Sequence, residues 1–281
     1  MKFEEQLIKI TNLPMDKISR GIINYTVGII IIHEDRKDNP AQFVGSGTLV
    51  QINSIYGILT ANHILDVLPS NGYIGLVLPT PSQTHRYQIE SSFLTKISIA
   101  RCELDADGPD LGIIILPQTN VRQISAYASF YNLSFDRDSH VNNPINTKAG
   151  VWVLCGFPGD YLTKESLTSS FNHVLGCCNL CGFGTVSREY SSDGFDYLEI
   201  DINHENDLPR SFCGVSGGGV WQVLLEQSPK GDLIDKSPLC SGVAFYQSEI
   251  VNNRSTIKCH GRRSIYKIAY EHVIDHFKDN F

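Results

Sequence analysis

At 281 residues, with 42% apolar and 19% charged side chains, the chain can build a sizeable core as one large domain or two small ones. The charged fraction lies below the usual figure of about a quarter, which argues against a disordered or coiled-coil protein. The net charge of −7 and the shortness of the one basic pair, Arg262-Arg263, exclude a nucleic-acid surface, and no apolar run reaches the ~18 residues of a membrane helix.

Residues 3–11 carry Phe3, Leu7 and Ile10 on one helical face, with Pro14 as the stop, so a short N-terminal helix is expected. The N-terminus lacks the continuous apolar stretch of a signal peptide. The eight cysteines then read as reduced thiols in a cytoplasmic protein, and delivery as an effector without a recognisable signal is compatible with the same sequence. Residues 22–32 are rich in β-branched side chains and read as a strand. Residues 42–52 and 55–60 read as a hairpin joined at Asn53-Ser54. One helical turn is expected over 62–68, stopped by Pro69, with strands at 73–78, 87–89, 93–102 and 111–116. Residues 118–149 are polar and weakly patterned, a linker with a short helix near 122–128. Strands resume at 151–155, 173–177, 183–189, 197–202, 219–225 and 241–248. The spacing of Ile265, Ile268, Ala269, Val273, Ile274 and Phe277 predicts a closing amphipathic helix with Ser264 as its N-cap.

Two runs of short strands separated by turn signals point to an all-β protein of two six-stranded antiparallel β-barrels side by side. The expected organisation is an N-terminal helical extension (1–20), a first barrel (21–118), the linker (119–149), a second barrel (150–262) and a C-terminal helix (263–281).

Three stretches carry chemistry. In Gly214-Val215-Ser216-Gly217-Gly218 the glycines allow a sharp turn and a close approach of backbone N–H groups to a substrate carbonyl. In Leu59-Thr60-Ala61-Asn62-His63 a strand delivers a histidine at the start of a turn. In Asp110-Leu111-Gly112 a carboxylate sits at the mouth of an apolar strand, a costly position unless it is paired. His63 can take the proton of Ser216 and pass it to a leaving amine, Asp110 can fix the imidazole tautomer, and the N–H groups of Gly214 and Ser216 can form an oxyanion hole.

Together with Gly45-Ser46-Gly47-Thr48 and Gly242-Val243-Ala244, these motifs resemble a chymotrypsin-fold (trypsin-like) serine peptidase of the bacterial type without disulfides. The resemblance covers roughly residues 20–280. It implies a double β-barrel with the site between the barrels, a protein or peptide substrate, no cofactor and no metal. It also implies that Phe245-Tyr246-Gln247 pairs with substrate and that Arg210 lies at the base of the primary pocket, where it would favour an acidic side chain; the alternative places Arg210 in solvent or against Asp207. Cys213 is expected to pack beside the pocket. Val215 stands where secreted members carry the aspartate that captures a new N-terminus, so activation by N-terminal cleavage is not expected. A narrow substrate or a regulatory protein partner would protect the host cell from such an enzyme.

Competing readings are a catalytically silent protease-fold binding module and an α/β-hydrolase-type esterase, the latter using Asp235 with His260 or His272. Cys177, Cys178 and Cys181 are read as free thiols, although Cys155 or His173 could complete a metal site with them. His272 and His276, four apart on the last helix, are read as a solvated face.

Overall fold

The computed structural model describes residues 15–33, 41–78, 85–101, 108–161, 163–166, 173–176, 180–204, 211–227 and 233–278. The expected helix over 3–11 lies outside them. The first described element is instead a helix directly after Pro14: α1, Met15–Ile23. Proline suits the entry to a helix because its missing N–H would be unpaired there anyway. Ile18 and Ile22, one turn apart, are 2% and 0% exposed. The helix thus occupies residues expected to begin a strand, and β1 starts only at Thr26 (Thr26–Ile32).

The first half is an eight-stranded sheet. After β1 come β2 (Ala41–Ile52), β3 (Ile55–Thr60), α2 (Asn62–Val67), β4 (Tyr73–Leu78), β5 (His85–Glu90), β6 (Thr95–Arg101) and β7 (Asp110–Ile115). Their order is β5-β4-β1-β2-β3-β7-β6. The seven strands of this path are the seven expected, β5 falling on residues 87–89; a short eighth strand, Tyr131–Asn132, is the added one, and among the described residues β5 and β6 do not pair with each other. A 3-10 turn at Ser91–Phe93, closed by Leu94 N–H on the Ser91 carbonyl, takes the residues that would otherwise extend a ladder. The expected strand over 93–102 therefore begins late, at Thr95.

The segment between the halves is more ordered than its polar sequence predicts. It holds α3 (Gln118–Ile124), β8 (Tyr131–Asn132) and α4 (Arg137–Asn142). β8 pairs in parallel with β2. Tyr131 packs edge-on to Trp221 and to Tyr25, which is a tertiary reason for order that no local pattern announces.

The second half is a closed six-stranded barrel. It comprises β9 (Val151–Gly156), β12 (Leu180–Ser192), β13 (Phe195–Asn203), β14 (Gly219–Val223), β17 (Leu239–Gln247) and β18 (Arg254–His260), with two small hairpins, β10–β11 (Thr163–Ser166, His173–Gly176) and β15–β16 (Leu225–Gln227, Leu233–Asp235). β18 was not expected, though its signal is local. Ser255, Ile257 and Cys259 alternate inward, and the preceding Asn252 and Asn253 both take positive φ (52° and 58°), as a tight hairpin turn demands. The architecture is an all-β, chymotrypsin-like pair of β units. One apolar cluster joins them, drawing Ile18 and Ile22 from α1, Leu59 and Ile113 from the first half, Val153 and Trp221 from the second, and Ile265 and Val273 from the C-terminal segment.

The C-terminal helix is present but is not capped as expected. It includes a π-helical stretch, Ser264–Ala269, followed by α5, Tyr270–His276. Its first N–H groups are satisfied from β13: the Asp196 carboxylate accepts from Arg263 N–H at 2.9 Å and from Ser264 N–H and Oγ, each at 2.6 Å. Ser264 sits inside the helical segment, and a charged cap brought from another strand replaces it. No helix of the described residues is long and apolar enough to cross a membrane.

Candidate active site

His63 rides on α2, whose N-cap, Ala61, follows the last residue of β3. Asp110 is the first residue of β7 and is 3% exposed. The two are bonded twice. Asp110 Oδ1 accepts the His63 backbone N–H at 2.9 Å, and Asp110 Oδ2 lies 2.5 Å from His63 Nδ1. A carboxylate on Nδ1 leaves Nε2 as the ring's outward-facing base, with about a third of the side chain, 34%, open to solvent.

Behind this pair stands a residue whose part the sequence did not reveal. His260, from β18 of the other half, accepts the Asp110 backbone N–H on Nε2 at 3.0 Å. It is fully buried among Phe195, Tyr197 and Phe245. Burial pushes its pKa down to about 4, against the opposing pull of Asp110, so the ring is neutral at physiological pH. With Nε2 accepting, the ring proton sits on Nδ1, which has no hydrogen-bond partner among the described residues. Its place against Asp110 also removes it from the hydrolase alternative. That alternative fails on the fold as well, because the residues after the serine run into strand β14 rather than a helix.

Ser216 lies in a turn-rich segment whose backbone is nearly all accounted for. The Phe212 carbonyl accepts from Val215 N–H at 2.8 Å, and Gly214 has φ +93°. This is a type II turn, whose third position requires positive φ and hence glycine. A Cβ on Gly214 would also lie 2.6 Å from Phe43 Cε1 and 2.8 Å from the Phe157 carbonyl. The Cys213 carbonyl accepts from Gly159 N–H at 2.6 Å, Val215 from Gly218 at 2.7 Å, and Ser216 from Ser46 at 2.9 Å. The Gly214 carbonyl accepts from the Ser46 hydroxyl at 2.6 Å. On the donor side, Phe212 N–H is held by Gln247 Oε1, Cys213 N–H by Ser211 Oγ, and Gly217 N–H by the Ala244 carbonyl. Two N–H groups of the run, those of Gly214 and Ser216, have no acceptor among the described residues. In a trans peptide the C=O and the next N–H point in opposite directions. With the Cys213 and Val215 carbonyls drawn into the protein, these two N–H groups face away from it.

His63 and Ser216 line one cavity of about 300 Å³. The expected substrate-contacting residues Cys213, Phe245, Tyr246 and Gln247 line it too, with Phe212, Val215, Ala244 and Ile257 adding apolar wall. Arg210 and its alternative partner Asp207 lie outside the described residues. The Ser216 hydroxyl donates to the Phe245 carbonyl at 3.4 Å, a long bond that a turn about its Cα–Cβ axis would release. Val215 is 2% exposed and packs in the second half's apolar cluster with Leu154 and Val220.

Cys177 and Cys178 lie outside the described residues, as do the side chains of Cys181 and His173. Among the described residues no group of three or more His, Cys, Asp or Glu is placed to hold a metal. His272 is exposed, with Nδ1 on the Ile268 carbonyl at 3.0 Å, as on a solvated helix face.

No protein-family model matches the chain, and no curated relative matches it. Among solved structures it is similar to a serine endoprotease from Yersinia pestis, at 13% identity over 94% of this chain and 68% of that one, with a TM-score of 0.48. It is likewise similar to the HtrA-type protease AlgW, solved with a decapeptide, at 12% identity, 94% and 68% coverage, and a TM-score of 0.49.

Proposed function

We propose that this protein is a serine endopeptidase that acts through an acyl-enzyme on Ser216. The observation that carries the reading is the meeting, in one cavity, of the carboxylate-bound His63 and Ser216, beside a turn in which the Gly214 and Ser216 N–H groups have no acceptor among the described residues. The Ser216 hydroxyl turns from Phe245 toward His63 Nε2 and loses its proton to that nitrogen as Oγ attacks the scissile carbonyl carbon. The carbonyl oxygen becomes an oxyanion between the Gly214 and Ser216 N–H groups, which need no reorganisation to receive it. The tetrahedral species collapses, the C–N bond breaks, and His63 Nε2–H protonates the departing amine. Water then adds to the acyl carbon, giving its proton to His63, and the second collapse returns that proton to Ser216 Oγ and releases the acid. Asp110 keeps Nδ1 protonated and stabilises the imidazolium throughout.

The β17 segment from Phe245 to Gln247 supplies a backbone edge beside Ser216 for an extended peptide. A narrow substrate range or an activating partner belongs to the same proposal, because the resting serine hydroxyl faces Phe245.

That resting hydroxyl is also the observation favouring a second reading, a binding module with a silent site. A fluorophosphonate probe separates the two. Labelling of the wild type that disappears in Ser216→Ala and falls by about 10⁴-fold or more in rate in His63→Ala supports the peptidase. Equal labelling of wild type and Ser216→Ala, or none in either, leaves the binding module.

A further inference from the structure

Ser46 belongs to the first half, yet its atoms contact the serine loop of the second half at both ends. Its hydroxyl donates to the Gly214 carbonyl at 2.6 Å and accepts the Phe157 N–H at 2.8 Å. Its own N–H donates to the Ser216 carbonyl at 2.9 Å. Its carbonyl accepts from Thr60 Oγ1 at 2.7 Å, which ties it to the strand leading to His63. The residue is fully buried, and every polar atom it has is used. Gly45 permits the approach: a Cβ there would lie 2.3 Å from Ile64 Cδ1 on α2 and 3.2 Å from the Ser216 carbonyl.

We infer that the Ser46 hydroxyl is a positioning group for the oxyanion-binding amides, a role that rests on the peptidase reading above. The Gly214–Val215 peptide leads directly to the Val215–Ser216 peptide that carries the Ser216 N–H. Fixing its carbonyl sets the plane from which that next peptide starts, Gly218 holds the Val215 carbonyl of the next peptide itself, and Gly159 fixes the Gly214 N–H from the other side. Val215 adds only apolar packing at the position between them. Ser46 therefore supplies, across the interface between the halves, the polar restraint that Val215 cannot. Removing Oγ leaves the Gly214 carbonyl and the Phe157 N–H without these partners, a state that favours rotation of the 214–215 peptide.

The test compares wild type, Ser46→Ala and Ser46→Cys in the full chain. Two quantities are measured: the second-order rate of fluorophosphonate labelling and backbone amide exchange by mass spectrometry. The expected result is labelling about 10- to 100-fold slower in Ser46→Ala, with partial recovery in Ser46→Cys through its S–H donor. Exchange over residues 212–218 should rise about tenfold or more while residues 55–65, around His63, keep wild-type exchange. Unchanged labelling together with unchanged exchange at 212–218 would overturn the inference. So would faster exchange spread equally over both segments, which marks a general structural role. Should the wild type not label at all, the peptidase reading fails, and the exchange comparison still decides whether Ser46 holds the loop.

Discussion

In the first half, His63 is bonded to one partner twice, through its backbone N–H and its ring, and that partner is the buried Asp110. In the second half, the 212–216 run is held one carbonyl at a time, by Gly159, Gly218 and, across the interface, Ser46. The first arrangement is compact and local to two neighbouring strands and a helical turn. The second is a turn whose carbonyls are held by scattered donors from both halves. The pair proposed to handle the proton thus lies in the first half, and the N–H groups proposed to receive the substrate's charge are held from both halves.

Gly214→Ala should break this contrast most strongly. The new Cβ meets Phe43 and the Phe157 carbonyl in a backbone that requires φ +93°. We expect fluorophosphonate labelling to slow by about 10³-fold, the loss of one oxyanion donor or more. The low-field proton resonance of the His63–Asp110 bond should persist, since that bond lies in the first half. Its disappearance would show that the two arrangements are one.

His260 sharpens the contrast through pH, because it carries a second-half side chain to the first half's Asp110. Its folded pKa of about 4 lies below the ordinary 6.5, so the unfolded chain binds the proton more readily. The stability that depends on its neutrality is full above pH 6.5, declines as pH falls toward 4 and levels off below that value. The difference is on the order of 3 kcal/mol. Burial faces it with Phe195, Tyr197 and Phe245, and Asp110 is the charged group that opposes the shift. Urea-unfolding midpoints measured from pH 4 to 7 should show a shallower slope in His260→Gln, which retains an acceptor for the Asp110 N–H. Equal slopes would mean that His260 does not titrate on unfolding.

The smallest effect is expected at Asp196, away from the cleft. Asp196→Ala removes the acceptor of Arg263 N–H, Ser264 N–H and Ser264 Oγ. It should cost about 1–2 kcal/mol of stability, read as a lower Tm, and leave the labelling rate of folded protein unchanged. A change in labelling rate would extend the second half's dependence on remote bonds to the C-terminal helix.

The sequence by itself determined the candidate triad residues and most of the strands around them. His63, Asp110 and Ser216 each sit in a short motif whose reason is local: a strand end, a charge opening an apolar run, glycines at a tight turn. Strand β18 is equally legible in the alternation of Ser255, Ile257 and Cys259 after Asn252-Asn253. Helix α1 was legible in part, since Ile18 and Ile22 are four apart, but the β-branched run that follows drew the boundary forward. Tertiary structure alone decided the parts that join the halves. Ser46 reaches Gly214 across 168 positions, and His260 reaches Asp110 across 150. Strand β8 and the Asp196 cap likewise exist because of partners far along the chain. A motif or a period reports what a residue needs from its immediate neighbours. A serine, a histidine or an aspartate that finishes another segment's hydrogen bonding looks the same in sequence whether or not that segment arrives, so only folding can assign it.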